Sequence, residues 1–164
     1  MKKRKPCINS GVKLPLNQAI LRGNPFIIRS LIEFGKPHPY VRDLNGRSPI
    51  HIAACKLDME TLDALVNECG MDPMIPDNDG NTFLHLLTMG VISDAEYDFV
   101  KFCIQKFNMR LSRNIEKRSP LSVLKSYNSK SGIVRGQPNF KKKLTELLES
   151  LVLENPSIQD SEFN

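Results

Sequence analysis

The sequence predicts an all-α solenoid of helix–turn–helix units, and three observations carry that prediction. Asp43-Leu-Asn-Gly-Arg-Ser-Pro-Ile-His-Ile-Ala-Ala54 recurs in large part as Asp77-Asn-Asp-Gly-Asn-Thr-Phe-Leu-His-Leu-Leu-Thr88, an offset of 34 residues from His51 to His85. A weaker echo, Asn114-Ile-Glu-Lys-Arg-Ser-Pro-Leu-Ser-Val-Leu124, follows 37 residues on, and an eroded one, Leu14-Pro-Leu-Asn-Gln-Ala19, precedes by 34. A near-fixed period is the mark of a repeat architecture. Each copy also opens as a turn that feeds a helix, and prolines between copies force extended connections.

The turn chemistry is explicit. Asp-x-x-Gly supplies a tight turn, with Gly46 and Gly80 free to take positive φ. Ser48-Pro49 and Ser119-Pro120 place a hydroxyl at an N-cap and a proline at the first helical position, where its missing N–H costs nothing. Ile50 and Ala53 in one copy, and Leu84 and Leu87 in the next, fall three apart on one helix face. These stretches resemble the ankyrin repeat, whose Thr-Pro-Leu-His-x-Ala signature is matched by Ser48-Pro-Ile-His-Ile-Ala53 and, less fully, by Thr82-Phe-Leu-His-Leu-Leu87. The resemblance covers about residues 12 to 125 and implies an ankyrin-repeat solenoid with extended fingers.

Taken in order, residues 1–11 form a basic lead expected to be disordered. Its Lys2-Lys-Arg-Lys5 cluster reads as a solvated tail or as a nuclear import signal. The repeat domain is expected over 12–154, with repeats near 12–42, 43–76, 77–113 and 114–154. Repeat 1 offers Leu16, Ala19 and Ile20 for a first helix, Gly23 as the break, Phe26, Ile27, Leu31 and Ile32 for a second, and Gly35 as its C′ glycine. In repeat 2, Asp58 suits an N-cap, Leu62, Leu65 and Val66 form the core stripe, and Gly70 closes the helix.

Repeat 3 departs from the period, since Ser93-Asp-Ala-Glu96 reads as a capping box that opens its second helix late, after a lengthened loop at 89–92. Phe99, Cys103 and one of Phe102 or Ile104 are expected on its buried side. Repeat 4 keeps a first helix from Pro120 to about Ser126 but has Lys117 where the turn glycine stood. A long loop at 126–139 follows, then an amphipathic capping helix at 140–154 whose stripe is Phe140, Leu144, Leu147, Leu148 and Leu151. Residues 155–164 are expected to fray.

The chain has 164 residues, a one-domain length, with a formal net charge of +5. Lys2, Lys3, Arg4, Lys5 and Lys13 account for that excess, so the rest is balanced overall but divided along the chain. Ten acidic and no basic residues lie between Asp58 and Asp98, whereas eleven basic residues and Glu116 alone lie between Lys106 and Lys143. No run approaches the ~18 apolar residues of a membrane span, and no apolar signal core follows the basic start. The four cysteines, Cys7, Cys55, Cys69 and Cys103, form no CxxC pair and read as reduced thiols of a cytosolic or nuclear protein.

Enzyme signatures are missing: no phosphate loop, no GxGxxG after a strand, no GxSxG elbow. His51 and Cys55 share a helix face, but no second pair completes a four-ligand zinc site. No cofactor or metal is expected. The family resemblance instead makes His51 and His85 structural hydrogen-bonding residues.

The candidate site is a protein-binding surface. Tyr40, Arg42 and Leu44 on one finger tip, with Met74, Ile75 and Asn78 on the next, place apolar and aromatic side chains where loops are ordinarily polar. They serve either as finger-to-finger packing or as anchors for a partner. Lys56, Leu57 and Met89 follow the first helices on the inner side, and Lys117, Arg118, Lys130 and Arg135 supply positive charge toward the C-terminal end. The resemblance implies an adaptor or inhibitor that occludes another protein, of the kind seen among stand-alone ankyrin proteins that inhibit transcription factors or serve as virus- or pathogen-encoded host effectors. The charge division suggests that the partner brings an acidic segment. Two other readings stand beside it: nucleic-acid or phosphoinositide contact through the basic C-terminal half, and a structural role inside a larger assembly such as a cytoskeletal complex.

Overall fold

The computed structural model describes residues 14–38, 40–89, 94–130 and 138–154, excluding the side chains of 127–130, 138–141 and 154. The expected basic lead, the loop residues 90–93 and 131–137, and the tail 155–164 lie outside the described residues. Within them are eight helices and no strand: α1 (Pro15–Arg22), α2 (Pro25–Glu33), α3 (Pro49–Lys56), α4 (Met59–Asn67), α5 (Phe83–Thr88), α6 (Asp94–Phe107), α7 (Pro120–Lys130) and α8 (Pro138–Glu154).

Proline opens five of these helices, where its fixed φ is already helical and its missing N–H is one that no helix uses. Side chains cap others as expected: Asn24 Oδ1 accepts the Ile27 amide at 3.2 Å, and Asp58 accepts the Thr61 amide at 3.0 Å and its hydroxyl at 2.6 Å. Gly23 closes α1 with φ 68. Gly35 acts differently from expectation. The left-handed φ falls on Lys36, at 39, and Gly35 is needed for room, since a Cβ there would stand 2.4 Å from the Leu31 carbonyl oxygen.

The helices form two rows. In the inner row α1 packs on α3, α3 on α5 and α5 on α7; in the outer row α2 lies against α4, and α8 packs on both α6 and α7. The Lys106–Asp63 ion pair, 2.7 Å, joins α6 to α4. The core runs continuously between the rows through Ile20, Ile50, Ala53, Leu65, Leu84 and Leu87 to Leu124 and Leu148. Phe83 and Phe99 meet edge to face across it, with ring centroids 6.5 Å apart.

Three expectations need correction. Phe26 and Ile27, expected among the apolar residues that build this second helix, are 84% and 50% exposed, and Ile28 and Ile32 are the buried pair of α2. The stretch Pro25-Phe-Ile-Ile-Arg is apolar on too many sides for a single stripe to stand out, so packing against α1 and α4 decides the register. In α6 Val100 joins Phe99 and Cys103 in the core, while Phe102 and Ile104 are both only half-buried. Finally, α7 continues to Lys130 and α8 begins at Pro138, so the connection expected over 126–139 is shorter at both ends.

Ala53 and Ala54 are fully buried on α3, which is flanked by α1 on one side and α5 on the other. Small residues there set how closely three inner helices approach. Ala53→Leu adds volume between these closely packed helices, and is expected to destabilise the protein by about 1–3 kcal/mol. The urea midpoint should fall accordingly; an unchanged midpoint contradicts this packing register.

Candidate interaction surface

Each finger turn folds on the side chain at its first position. Asp43 Oδ1 accepts the amides of Asn45 at 2.8 Å and Arg47 at 2.9 Å; Asp77 Oδ1 accepts those of Asp79 at 2.9 Å and Asn81 at 2.8 Å. Asn114 Oδ1 accepts the Arg118 amide at 3.0 Å in the third turn. The carboxylate or amide thereby fixes the loop before any neighbour touches it.

Histidine then joins each turn to the next. The Ser48 amide donates to His51 Nδ1 at 3.2 Å, and His51 Nε2 donates to the Asn81 carbonyl at 3.2 Å. One repeat on, the Thr82 amide donates to His85 Nδ1 at 3.1 Å and His85 Nε2 to the Arg118 carbonyl at 3.0 Å. Because Nδ1 accepts a backbone N–H, the ring proton must sit on Nε2. Both rings are buried, and burial pushes both pKa values down, for His51 to about 4, against the smaller opposing pull of the Asn81 carbonyl. The sequence expectation that these histidines are structural holds: both ring nitrogens are engaged.

The fingers are also bonded to one another. The Asn78 amide donates to the Asn45 carbonyl and the Ile115 amide to the Asp79 carbonyl, each at 3.0 Å. Asn78 Nδ2 reaches the Leu44 carbonyl at 2.9 Å, and Asn114 Nδ2 reaches Asn81 Oδ1 at 2.9 Å. Arg47 lies 4.0 Å from the buried Asp77 carboxylate. Arg42 donates to the Gly46 carbonyl at 3.2 Å and to the Pro76 carbonyl of the next finger. The result is a row of tips whose backbone is held at several points per turn.

The candidate residues divide accordingly. Tyr40 and Leu44 stand out from the tips, 71% and 68% exposed. Ile75 does not: it is buried, because the Asp72–Ile75 turn folds it back on the repeat, and it is withdrawn from the surface. Met74 and Leu57 are half-buried against the core, Leu57 as the left-handed C-cap of α3 with φ 57, and Met89 is half-buried after α5. Arg42 and Asn78 tie finger to finger, so their exposure is shared with a structural task. Lys56 and Lys117 are exposed. Arg118 pairs with Glu116. Lys130 ends α7 with its side chain outside the described residues, and so is Arg135 altogether.

One tip residue escaped the sequence reading. Ile115 is 71% exposed, and it occupies in the third turn the place that Leu44 holds in the first and Asn78 in the second. Aligning the turns by their histidine and proline positions would have found it. Phe26 in α2 and Phe34 at its C-cap are also exposed, on the outer row.

A model of three ankyrin repeats matches residues 16–102. The chain belongs to the ankyrin-repeat family. No curated protein matches it. Ankyrin repeats are in general protein–protein interaction modules, and the fourth first helix, α7, continues the inner row beyond the matched segment.

Among the described residues no group of three or more His, Cys, Asp and Glu is arranged to hold a metal ion. Burial pushes the Cys103 thiol up to about 12 and raises that of Cys69, so neither is an activated nucleophile. Cys55 corrects the expectation of four reduced thiols, because it is disulfide-bonded; spacing along a chain does not reveal which thiols a stacked fold brings together. No helix among the described residues is long and apolar enough to cross a membrane.

Two outcomes follow from the histidine links. The folded pKa of His51, about 4, lies below the unfolded value of about 6.5, so between those pH values the unfolded chain holds a proton that the folded one lacks. Stability is therefore full above pH 6.5 and is lost as the pH falls through that window, with His51 alone contributing a loss on the order of 2 kcal/mol by pH 5. Urea midpoints measured at pH 7 and pH 5 check this; equal midpoints contradict it. The second outcome concerns Asn17, which stands 34 residues before His51. It is fully buried, and neither its side-chain nitrogen nor its oxygen has a hydrogen-bond partner among the described residues. Asn17→His restores the missing rung and is expected to raise stability by about 1 kcal/mol, read as a higher melting temperature; a lower one contradicts the equivalence of the two sites.

Proposed function

We propose that this protein is an adaptor or inhibitor that binds another protein through its finger tips and the inner side of its first helices. The observation that carries the reading is the exposure of Leu44 and Ile115, 68% and 71%, on turns whose backbone is already bonded to neighbouring turns. Apolar side chains on a held backbone lose little further entropy when a partner covers them, which favours their use as anchors. Tyr40 adds a large amphipathic ring beside them. Lys56, Leu57 and Met89 line the inner side, with Arg42, Met74, Asn78, Lys117 and Arg118 completing the contact. A host-directed effector is one form of this interaction.

The alternative of nucleic-acid or phosphoinositide contact through the basic half draws less support. Lys106, Arg118, Lys125 and Lys142 each have a carboxylate partner, on Asp63, Glu116, Glu149 and Glu146, which reduces the positive field available to phosphates.

A pull-down from the native cell with mass spectrometry, comparing the wild type with the double variant Tyr40→Ala/Leu44→Ser, tests the reading. The wild type is expected to retain a specific partner that the variant loses by at least about tenfold, with melting temperatures within about 2 °C, since exposed substitutions cost within ~0.5 kcal/mol. Identical capture by the two proteins contradicts it.

A further inference from the structure

The third turn carries Asn114 where the two before it have aspartate, and Lys117 where they have glycine; the glycine position is the one that bears on stacking. Gly46 and Gly80 take φ values of 73 and 75. A Cβ on Gly46 would stand 2.6 Å from the Asn78 amide nitrogen, and one on Gly80 2.8 Å from the Ile115 amide nitrogen. These positions are glycine, then, for two reasons: the left-handed backbone, and the next finger stacked on them. Lys117 adopts the same left-handed conformation, φ 59, and does carry a Cβ. In the two earlier turns that direction leads into the next finger; among the described residues no further finger stacks on Lys117. The described finger row ends there, and what that end presents is side chain rather than a backbone ladder.

The side chains at this end have a definite character. Ile115 is 71% exposed. Lys117 and Arg110 are exposed and have no side-chain hydrogen bond or ion pair to a described residue. Arg113 donates to the Lys117 carbonyl at 3.2 Å, which brings a further cation beside the turn. Glu116 is the local carboxylate, and Arg118 already pairs with it. The second finger is the opposite, with Asp72, Asp77 and Asp79 and no cation.

Resting on the binding role proposed above, we propose that this last finger docks an acidic linear segment of a partner protein, with an apolar side chain of that segment against Ile115 and carboxylates on Lys117 and Arg110. Charge complementarity selects the sign of the partner. A linear segment suits a single apolar knob, whereas a helix docks by a stripe of side chains into a groove. A second copy of this chain is a poor occupant: head-to-tail stacking would bring the first finger, with Arg42 and Arg47, against the same cations. Single-stranded nucleic acid is disfavoured because the third turn carries no aromatic ring on which a base would stack.

The test is selection of a random displayed peptide library on the full-length protein, followed by affinity measurement of the enriched peptides on the wild type and three variants. The expected pool is net negative with a large apolar residue. Its affinity should fall about tenfold, or ~1.4 kcal/mol, in both Ile115→Ser and Lys117→Gly and weaken with added salt, with Leu44→Ser as the comparison on the first finger. Lys117→Gly separates binding from folding, because glycine relaxes the left-handed turn: its melting temperature should rise while its affinity drops. The proposal is overturned by a pool with no acidic excess, by no enrichment, by affinities indifferent to Ile115→Ser and Lys117→Gly, or by polyuridylate displacing the peptides from this finger. Peptides that lose affinity only in Leu44→Ser sink this proposal and leave the broader tip-binding role standing; peptides indifferent to all three variants sink both.

Discussion

The arrangement of the repeats depends on an imidazole ring used from both sides. In the second and third repeats the ring closes its own helix start through Nδ1 and reaches the following turn through Nε2. One neutral side chain thus satisfies a helix-end N–H that has no intrahelical partner and an otherwise unpaired carbonyl of the next unit. Only the Nε2–H form does both, and burial, which lowers both pKa values, keeps the ring neutral. In a solenoid each unit buries its apolar side only against neighbours, so a bond that fixes one unit's helix to the next unit's turn also fixes how the apolar faces meet.

The finger tips inherit their order from that bond. The carbonyls that receive the two rings belong to Asn81 and Arg118, the closing residues of the second and third turns. Those turns in turn bond backward through the Asn78 and Ile115 amides. A loop with few such ties would lose conformational freedom on meeting a partner, at a cost in affinity; these tips have lost most of it on folding. Stability and recognition here draw on the same hydrogen bonds. The glycines and Lys117 mark where that construction continues and where it stops.

Much of this was legible because the information is local. Asp-x-x-Gly, Ser-Pro and the spaced histidines state a turn, a helix start and a link, and each survives in the structure with the partners its chemistry calls for. What was not legible depended on neighbours. Phe26 and Ile28 are both apolar, and only packing against α1 and α4 decides that Ile28 turns inward. Ile75 looked like a tip anchor until its turn folded it into the repeat, and the bond at Cys55 left no trace in residue spacing. Ile115 is the reverse case: its exposure follows from the repeat alignment itself, but its turn has lost the aspartate, the glycine and the histidine, so the echo is faint.

The measurement that bears most directly on this account is nitrogen-resolved NMR of the two buried imidazoles together with exchange of the finger amides at neutral pH. The account predicts that His51 and His85 are both held in the Nε2–H form, and that the amides of Asn78 and Ile115 exchange as slowly as those in the middle of α3. Rings that average between tautomers, or finger amides that exchange at the rate of an open loop, would contradict it.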